Sequence, residues 1–371
     1  MGRPWVNCLP LSGESGGESV TLGHLKSMED LILQSIGKEA FEYIRQHTDI
    51  GAGETLILST TTTFNIQKEA NEAFRTIINF RRTNDIQQLN AFFRAVNQKL
   101  QPGGVYIGCV ETYVLRKKRI LAKYPPGLNY IYYSLDFMIK RIFPKLKATR
   151  RLTYLLTRGN NKVLSQAETF GRLCAAGFRI HDAAAIGKFL FYVVHKEKPP
   201  QPEPRSTEGF LIRLPRIGKD GKTIMVYKFR TMHAYSEYLQ DYIYEKNALK
   251  DGGKFSKDFR ISTMGRVMRR LWIDELPMLL NLFKGEMKLI GVRPLSRHFY
   301  ELYDADLREM RIKTKPGLIP PYYADLPRTL EEIMESERRY LVVYSHHGFR
   351  TDVKYFLKAM NNILFRRVRS S

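Results

Sequence analysis

Cysteine is scarce in this chain. Cys8, Cys109 and Cys174 are its three thiols, and neither a CxxC spacing nor a neighbouring histidine makes a zinc site of them. The expectation is a reduced, cytosolic chain. Long apolar runs are missing too, because no segment reaches the ~18 to 20 apolar residues that a bilayer span requires. Any attachment to a membrane is therefore expected to lie on the surface or to dip in shallowly. The start, Met1-Gly2-Arg3-Pro4-Trp5-Val6, lacks the hydroxyl residue of a myristoylation signal and is followed by no apolar signal segment. Negative charge is in deficit, with 60 Lys and Arg against 37 Asp and Glu and a net charge of +23. That excess favours a polyanionic partner, whether nucleic acid, an anionic membrane surface or diphosphate substrates.

What is present suggests two domains: 371 residues, 43% hydrophobic and 26% charged, are globular in composition. Residues 1–47 read as a lead-in and a helix over Asp30 to Gln46. An α/β domain follows at 48–196. Thr55 to Ser59 and Thr76 to Phe80 are short apolar runs suited to buried parallel strands, Ile86 to Leu100 has helical spacing, and Val105 to Val110 is a further strand. Ser165 with Glu168 three residues on is a candidate N-cap for a helix that stops at Gly177, before closing strands at Phe178 to Ile180 and Phe189 to Val194. The charged, proline-rich run from Lys196 to Pro204 places a linker at 197–208. Residues 209–371 open with a hairpin turning at Gly218 to Lys222 and continue as helices. The last of these, Asp352 to Arg367, carries Val353, Phe356, Leu357, Met360, Ile363 and Leu364 on one stripe.

The turn Leu100-Gln101-Pro102-Gly103-Gly104 before a strand, with the helix and two strands that end the 48–196 segment, resembles the second half of a Class I S-adenosylmethionine-dependent methyltransferase. The resemblance implies a Rossmann-like sheet. In that fold a glycine-rich turn directly after the first strand lets backbone approach the cofactor. Here Asp49 to Gly53 precedes the strand and Thr60 to Thr63 follow it. The expected domain thus keeps the fold without binding S-adenosylmethionine, and an active methyltransferase is the competing reading.

In the second domain, Lys228 and Arg230 at the end of the hairpin form either a phosphate-binding pair or a solvated strand end. If Gly265 to Pro277 is one helix, Arg266, Arg270 and Asp274 share a face. The guanidinium groups would then depress the Asp274 pKa and keep a nucleophile ionised. Pro277 favours a kink there. The bland alternative is that Asp274 caps the helix carrying Leu276 to Phe283.

The ordered set of hairpin, Lys228-Phe229-Arg230-Thr231-Met232, Gly265-Arg266, Ile273-Asp274-Glu275-Leu276-Pro277, Asn281 with Lys284-Gly285-Glu286, Gly291-Val292-Arg293-Pro294 and Lys315-Pro316-Gly317-Leu318 resembles the bacterial sugar transferase family, the monotopic phosphoglycosyl transferases. The resemblance implies a mainly α-helical domain with a β-hairpin. It also implies transfer of a sugar 1-phosphate from a UDP-sugar to polyprenyl phosphate, which primes exopolysaccharide or glycoconjugate synthesis. By the same resemblance Asp274 is the nucleophile, Glu275 its partner and a Mg2+ ligand, and Arg230, Arg269 and Arg293 phosphate clamps, with Lys228 and Arg328 as further candidates. The implied location is the cytoplasmic face of the bacterial inner membrane, peripheral or shallowly embedded.

Two departures stand out. No hydrophobic re-entrant helix precedes the hairpin, so attachment is expected from Tyr130 to Lys147 or from the C-terminal helix. Gly291-Val292-Arg293-Pro294 replaces a commoner GPRP, and Ile319-Pro320-Pro321-Tyr322-Tyr323 follows the KPGL run. The non-enzymatic alternative, a basic nucleic-acid binder, leaves Asp274 and Glu275 amid arginines unexplained, and no nucleic acid is expected.

Overall fold

The computed structural model describes residues 29–145, 149–158, 160–200, 209–246 and 258–365. The chain divides into two compact units. One holds the described residues up to 200 together with Ala234–Lys246, and the other Gly209–His233 and the described residues from 258 onward. Most of the linker, 201–208, lies outside the described residues. Its first residues are tied down: the Glu197 and Lys198 amides both donate to the Gly177 carbonyl.

In the first unit, helices α1 (29–36) and α2 (Lys38–His47) are separated by Gly37 at φ 84°, so the single helix expected there is broken. Then come β1 (Thr55–Leu58), α3 (Phe64–Gln67), β2 (Phe74–Arg82), α4 (Leu89–Lys99) and β3 (Leu100–Val110). The basic, aromatic stretch after it folds into α5 (Tyr113–Lys123), α6 (Leu128–Phe137) with a π-turn Met138–Ile142, and α7 (Arg150–Thr157). Helix α8 (Gln166–Ala175) and the hairpin β4 (Phe178–Ile186) and β5 (Phe189–Lys196) close the unit. The sheet order is β1-β2-β3-β5-β4, with β1, β2 and β3 parallel and β5 antiparallel to both neighbours. Adjacent residues Ile77 and Ile78 point to opposite faces and are both buried, as are Tyr106 and Ile107. The sheet is therefore covered on both sides, and its strands read as continuous apolar runs.

The expected cap on α8 forms: Ser165 Oγ accepts from the Glu168 amide at 3.0 Å. The Glu168 carboxylate is held by Arg141 and Arg172. Cys109 and Cys174 are free thiols, each pushed up to about 12 by burial and so held as thiols.

The second unit begins with the hairpin β6 (Leu211–Ile217) and β7 (Thr223–Phe229). The chain then lends α9 (Gln240–Lys246) to the first unit, where a Cβ on Gly171 of α8 would meet the Tyr235 carbonyl at 2.1 Å. Helix α10 (Thr263–Arg270), a 3-10 segment Ile273–Met278 and α11 (Leu279–Phe283) follow, then β8 (Lys288–Ile290), α12 (Arg297–Glu301), α13 (Ala305–Ile312), β9 (Gly317–Ile319), α14 (Tyr322–Asp325), α15 (Leu330–His347) and α16 (Phe349–Phe365). The α/β class holds for the chain, with a helical second unit built on a hairpin. The sequence gives no hint that β8 and β9 pair in parallel.

That pairing explains two motifs at once. Gly291 and Gly317 face each other so closely that a Cβ on Gly317 would lie 2.0 Å from the Gly291 nitrogen. Gly265 packs on Thr231 in the same way, its missing Cβ leaving room for the Thr231 carbonyl at 1.9 Å. Asn281, fully buried, accepts from the Tyr227 amide and donates to Met225 O and Glu286, tying α11 to β7. In α16 the apolar stripe is covered only in part, with Phe356 packed against a core cluster. Thr351, Ala359 and Asn362 are buried while Val353, Leu357 and Leu364 are exposed, because Asn362 donates to the Tyr323 and Ala324 carbonyls.

Candidate active site

The carboxylates of Asp274 and Glu275 lie at the junction of α10 with the 3-10 segment, and the chain bends there one residue earlier than proline chemistry alone suggests. Helix α10 ends at Arg270, and Trp272 takes left-handed backbone at φ 61°. For a bulky residue this costs about 1–3 kcal/mol. Its ring packs on Tyr323, centroids 4.6 Å apart, which holds the bend in place. Pro277 sits inside the 3-10 segment and does not cause the break.

The bend overturns the helical-face expectation. Arg266 and Arg270 are exposed, and Arg269 is the α10 guanidinium whose charge acts on Asp274. The pKa of Asp274 is accordingly raised, not depressed. Burial pushes it up, Glu275 adds to this, and Lys228, the residue's own amide and Arg269 offset only part. Both acids are buried, Asp274 at 7% exposure and Glu275 at 9%. Asp274 Oδ1 has no hydrogen-bond partner among the described residues. Buried carboxylate oxygens left so are rare, and among the described residues Glu337 Oε1 is the other one. No capping bond from the Asp274 side chain is found among the described residues.

Around the pair, Lys228 Nζ donates to Glu275 Oε1 at 2.7 Å. Arg269 Nε donates to Thr231 Oγ1 at 2.9 Å, which aims a side chain of α10 from the motif that ends β7. Arg293 donates to the Tyr322 hydroxyl at 3.3 Å. Its pKa is raised by Tyr322 first, with burial opposing and Tyr323 and Glu275 adding, so it belongs to the same charge cluster. Burial followed by the charges of Tyr322 and Glu275 pushes Tyr323 up as well. Arg230 Nε donates to the Gly209 carbonyl at 2.9 Å, and the leading charges acting on Asp274 and Arg293 come from other residues. Arg328 does not join: it is exposed ahead of α15, its amide bonds Glu332, and its guanidinium makes no hydrogen bond or ion pair among the described residues.

Sequence reasoning missed Thr231, Trp272, Tyr322 and Tyr323. It also missed Arg216, whose pKa is lowered by burial and by Arg293 beside it. Thr231 and the tyrosine pair were already inside or next to recognised motifs, which is the signal that could have found them. No group of three or more His, Cys, Asp or Glu that could hold a metal occurs among the described residues. The two carboxylates do suit a hard cation that takes its remaining oxygens from water and substrate, and the unpartnered Oδ1 is the atom that fits it.

Buried paired acids and nearby cations beside a strained turn have the chemistry to bind an anionic, phosphate-bearing group. Residues 204–366 match the family model described as bacterial sugar transferase. Among curated relatives, the exopolysaccharide production protein ExoY of Sinorhizobium fredii is 36% identical over 108 residues, 28% of this chain and 47% of that protein. The undecaprenyl-phosphate galactose phosphotransferase of Salmonella typhimurium is 34% identical over 109 residues, 28% of this chain and 22% of its own. The UDP-N-acetylgalactosamine-undecaprenyl-phosphate N-acetylgalactosaminephosphotransferase of Aeromonas hydrophila is 37% identical over 94 residues, 25% and 19%. The matched region thus spans about half the length of the first relative and about a fifth of the other two. An S-adenosylmethionine dependent methyltransferase from Mesorhizobium loti aligns with 35% of this chain and 66% of its own at 14% identity, with a TM-score of 0.23 that carries no argument.

Proposed function

We propose that the protein transfers a sugar 1-phosphate from a UDP-sugar to polyprenyl phosphate at the cytoplasmic face of the bacterial inner membrane, through a phosphosugar held covalently on Asp274. The observation that carries this reading is the buried Asp274 carboxylate with one unpartnered oxygen, set beside Glu275 and within the field of Lys228 and Arg269, with Arg293 acting on Glu275. An Asp274 oxygen attacks the sugar-bearing phosphorus, the P–O bond to UMP breaks, and UMP leaves with the electron pair. A phosphate oxygen of the polyprenyl acceptor then attacks the same phosphorus, which frees Asp274 and yields a polyprenyl diphosphate sugar.

Lys228 restrains Glu275, and Arg269 and Arg293 would bind phosphate oxygens as charge moves to the leaving group. Glu275 would hold Mg2+ together with substrate oxygens, and the ion would neutralise the diphosphate. The names of the Aeromonas and Salmonella relatives support this donor and acceptor. The test is incubation of the protein with polyprenyl phosphate, Mg2+ and a panel of UDP-sugars, read as UMP release. The expected result is continued release that needs both acceptor and Asp274, with no more than one equivalent of UMP per protein when the acceptor is left out. No release with any sugar contradicts the reading.

A further inference from the structure

The segment Leu128–Ile142 in the first unit is a helix turned inside out. Helix α6 and its π-turn expose Leu128, Ile131, Leu135, Met138, Ile139 and Ile142, at 37–64% exposure and at helical spacing. Its buried side is polar: Asn129, Asp136 and Arg141 are each below 10% exposure. A helix that packs on its own domain does the reverse.

The orientation is locked. Asp136 takes a two-pronged bond from Arg116 at 2.6 and 2.9 Å and another from Lys140 at 2.6 Å. Asn129 donates to the Leu121 carbonyl, and Arg141 to the Val163 carbonyl and to Glu168. Rolling the apolar face inward would break every one of these buried contacts, so the exposed stripe is built to stay outside and must meet another phase or partner.

Charge selects the occupant. From residue 113 to 145 the sequence has a single carboxylate, Asp136, and it is buried and neutralised. Against it stand Lys117, Lys118 and Lys123, exposed on α5, the helix that α6 follows. Tyr130 and Tyr132 add amphipathic rings at 57% and 44% exposure, the side chains favoured where hydrocarbon meets headgroups. At ~1.5 Å per residue the segment is too short to cross a bilayer, and no helix among the described residues is long and apolar enough to do so.

We propose that this face of α5 and α6 seats on an anionic phospholipid surface, with the Leu128–Ile142 stripe lying flat in the headgroup layer and the lysines against lipid phosphates. The geometry and charge stand without the transferase reading, although a lipid acceptor gives the contact its purpose.

The test is flotation of the full chain with vesicles of phosphatidylcholine alone or with about 30% phosphatidylglycerol. Wild type should float with the anionic vesicles and much less with the neutral ones. Ile131→Asp with Leu135→Asp, both at exposed positions, should lower the partition coefficient at least about tenfold with an unchanged melting curve. Lys117→Glu with Lys118→Glu should remove the preference for anionic lipid. Leu357→Asp with Leu364→Asp on α16 is the comparison and should float like wild type. UMP release with acceptor supplied in detergent should be unchanged in Ile131→Asp/Leu135→Asp. Failure of UMP release in wild type that still floats sinks the transferase reading and leaves the docking face standing. The docking proposal is overturned if wild type does not float, if the α6 variant floats like wild type while the α16 variant does not, or if the α6 substitutions only turn a dimer into a monomer.

Discussion

Two aspartates with similarly hidden side chains differ in what surrounds them. Asp136, in the first unit, is pushed up by burial, yet hydrogen bonds from Arg116 and Lys140 outweigh this and hold it below the usual carboxylate range. Asp274, in the second unit, is pushed up by burial and by Glu275, and its cations do not compensate. The difference is geometric. Asp136 has both oxygens engaged, whereas Asp274 keeps one oxygen without a partner. Glu111 and Glu168 follow the Asp136 pattern, each saturated by arginines. Asp136, Glu111 and Glu168 in the first unit are tied up in ion pairs, and on the proposed reading Asp274 is left for chemistry.

The sharpest way to break this comparison is to make the same substitution at both places. Asp274→Asn should lower UMP release by about a thousandfold or more, because an amide cannot displace UMP from phosphorus. Stability should hold or rise at neutral pH. A carboxyl whose folded pKa lies above its unfolded one favours folding while protonated and loses that contribution as pH rises through the window above 3.8. Thermal melts of both proteins across pH 3 to 8 check this.

Glu275→Gln should cost about a hundredfold or more, partly recovered by excess Mg2+ if Glu275 helps hold the ion. A magnesium titration of the variant gives the answer.

Asp136→Asn should behave in the opposite way to Asp274→Asn. It should destabilise by about 3 kcal/mol at neutral pH by leaving buried cations short of their partner, with UMP release per folded molecule unchanged. Because the folded pKa is depressed, the stabilisation is present above the unfolded value and fades as pH falls through the folded one. Wild type and variant should therefore converge in acid. Gly265→Ala is the smallest effect, about 1–3 kcal/mol from forcing a methyl against the Thr231 carbonyl. It should also reduce turnover modestly by shifting Arg269, measured as a melting temperature and a rate on the same preparation.

The strands were legible because a sheet covered on both faces writes itself as apolar runs, as at Thr76 to Phe80, and the Ser165 cap because its chemistry is local. Lys228, Asp274 and Glu275 were legible as motif members, and the fold brings their charges together. The break at Trp272 was not, since left-handed backbone at an aromatic is dictated by packing on Tyr323, some fifty residues away. Nor could spacing say which side of Leu128–Ile142 or of α16 is inside. An amphipathic pattern gives two faces, and buried partners such as Arg116 for Asp136 or the Tyr323 carbonyl for Asn362 decide between them. The assignment of Ala234–Lys246 to the first unit was equally hidden, because it rests on Gly171 admitting the backbone of Tyr235. A cut after residue 200 would strip that segment of its support.

The most direct measurement is intact mass of wild-type protein incubated with Mg2+ and the UDP-sugar that supports UMP release, with no acceptor lipid. A gain of one phosphosugar, located on the peptide from Trp272 to Pro277, lost on adding polyprenyl phosphate and missing in Asp274→Asn, is what the account predicts. An adduct on another residue, or UMP release by Asp274→Asn at the wild-type rate, would contradict it.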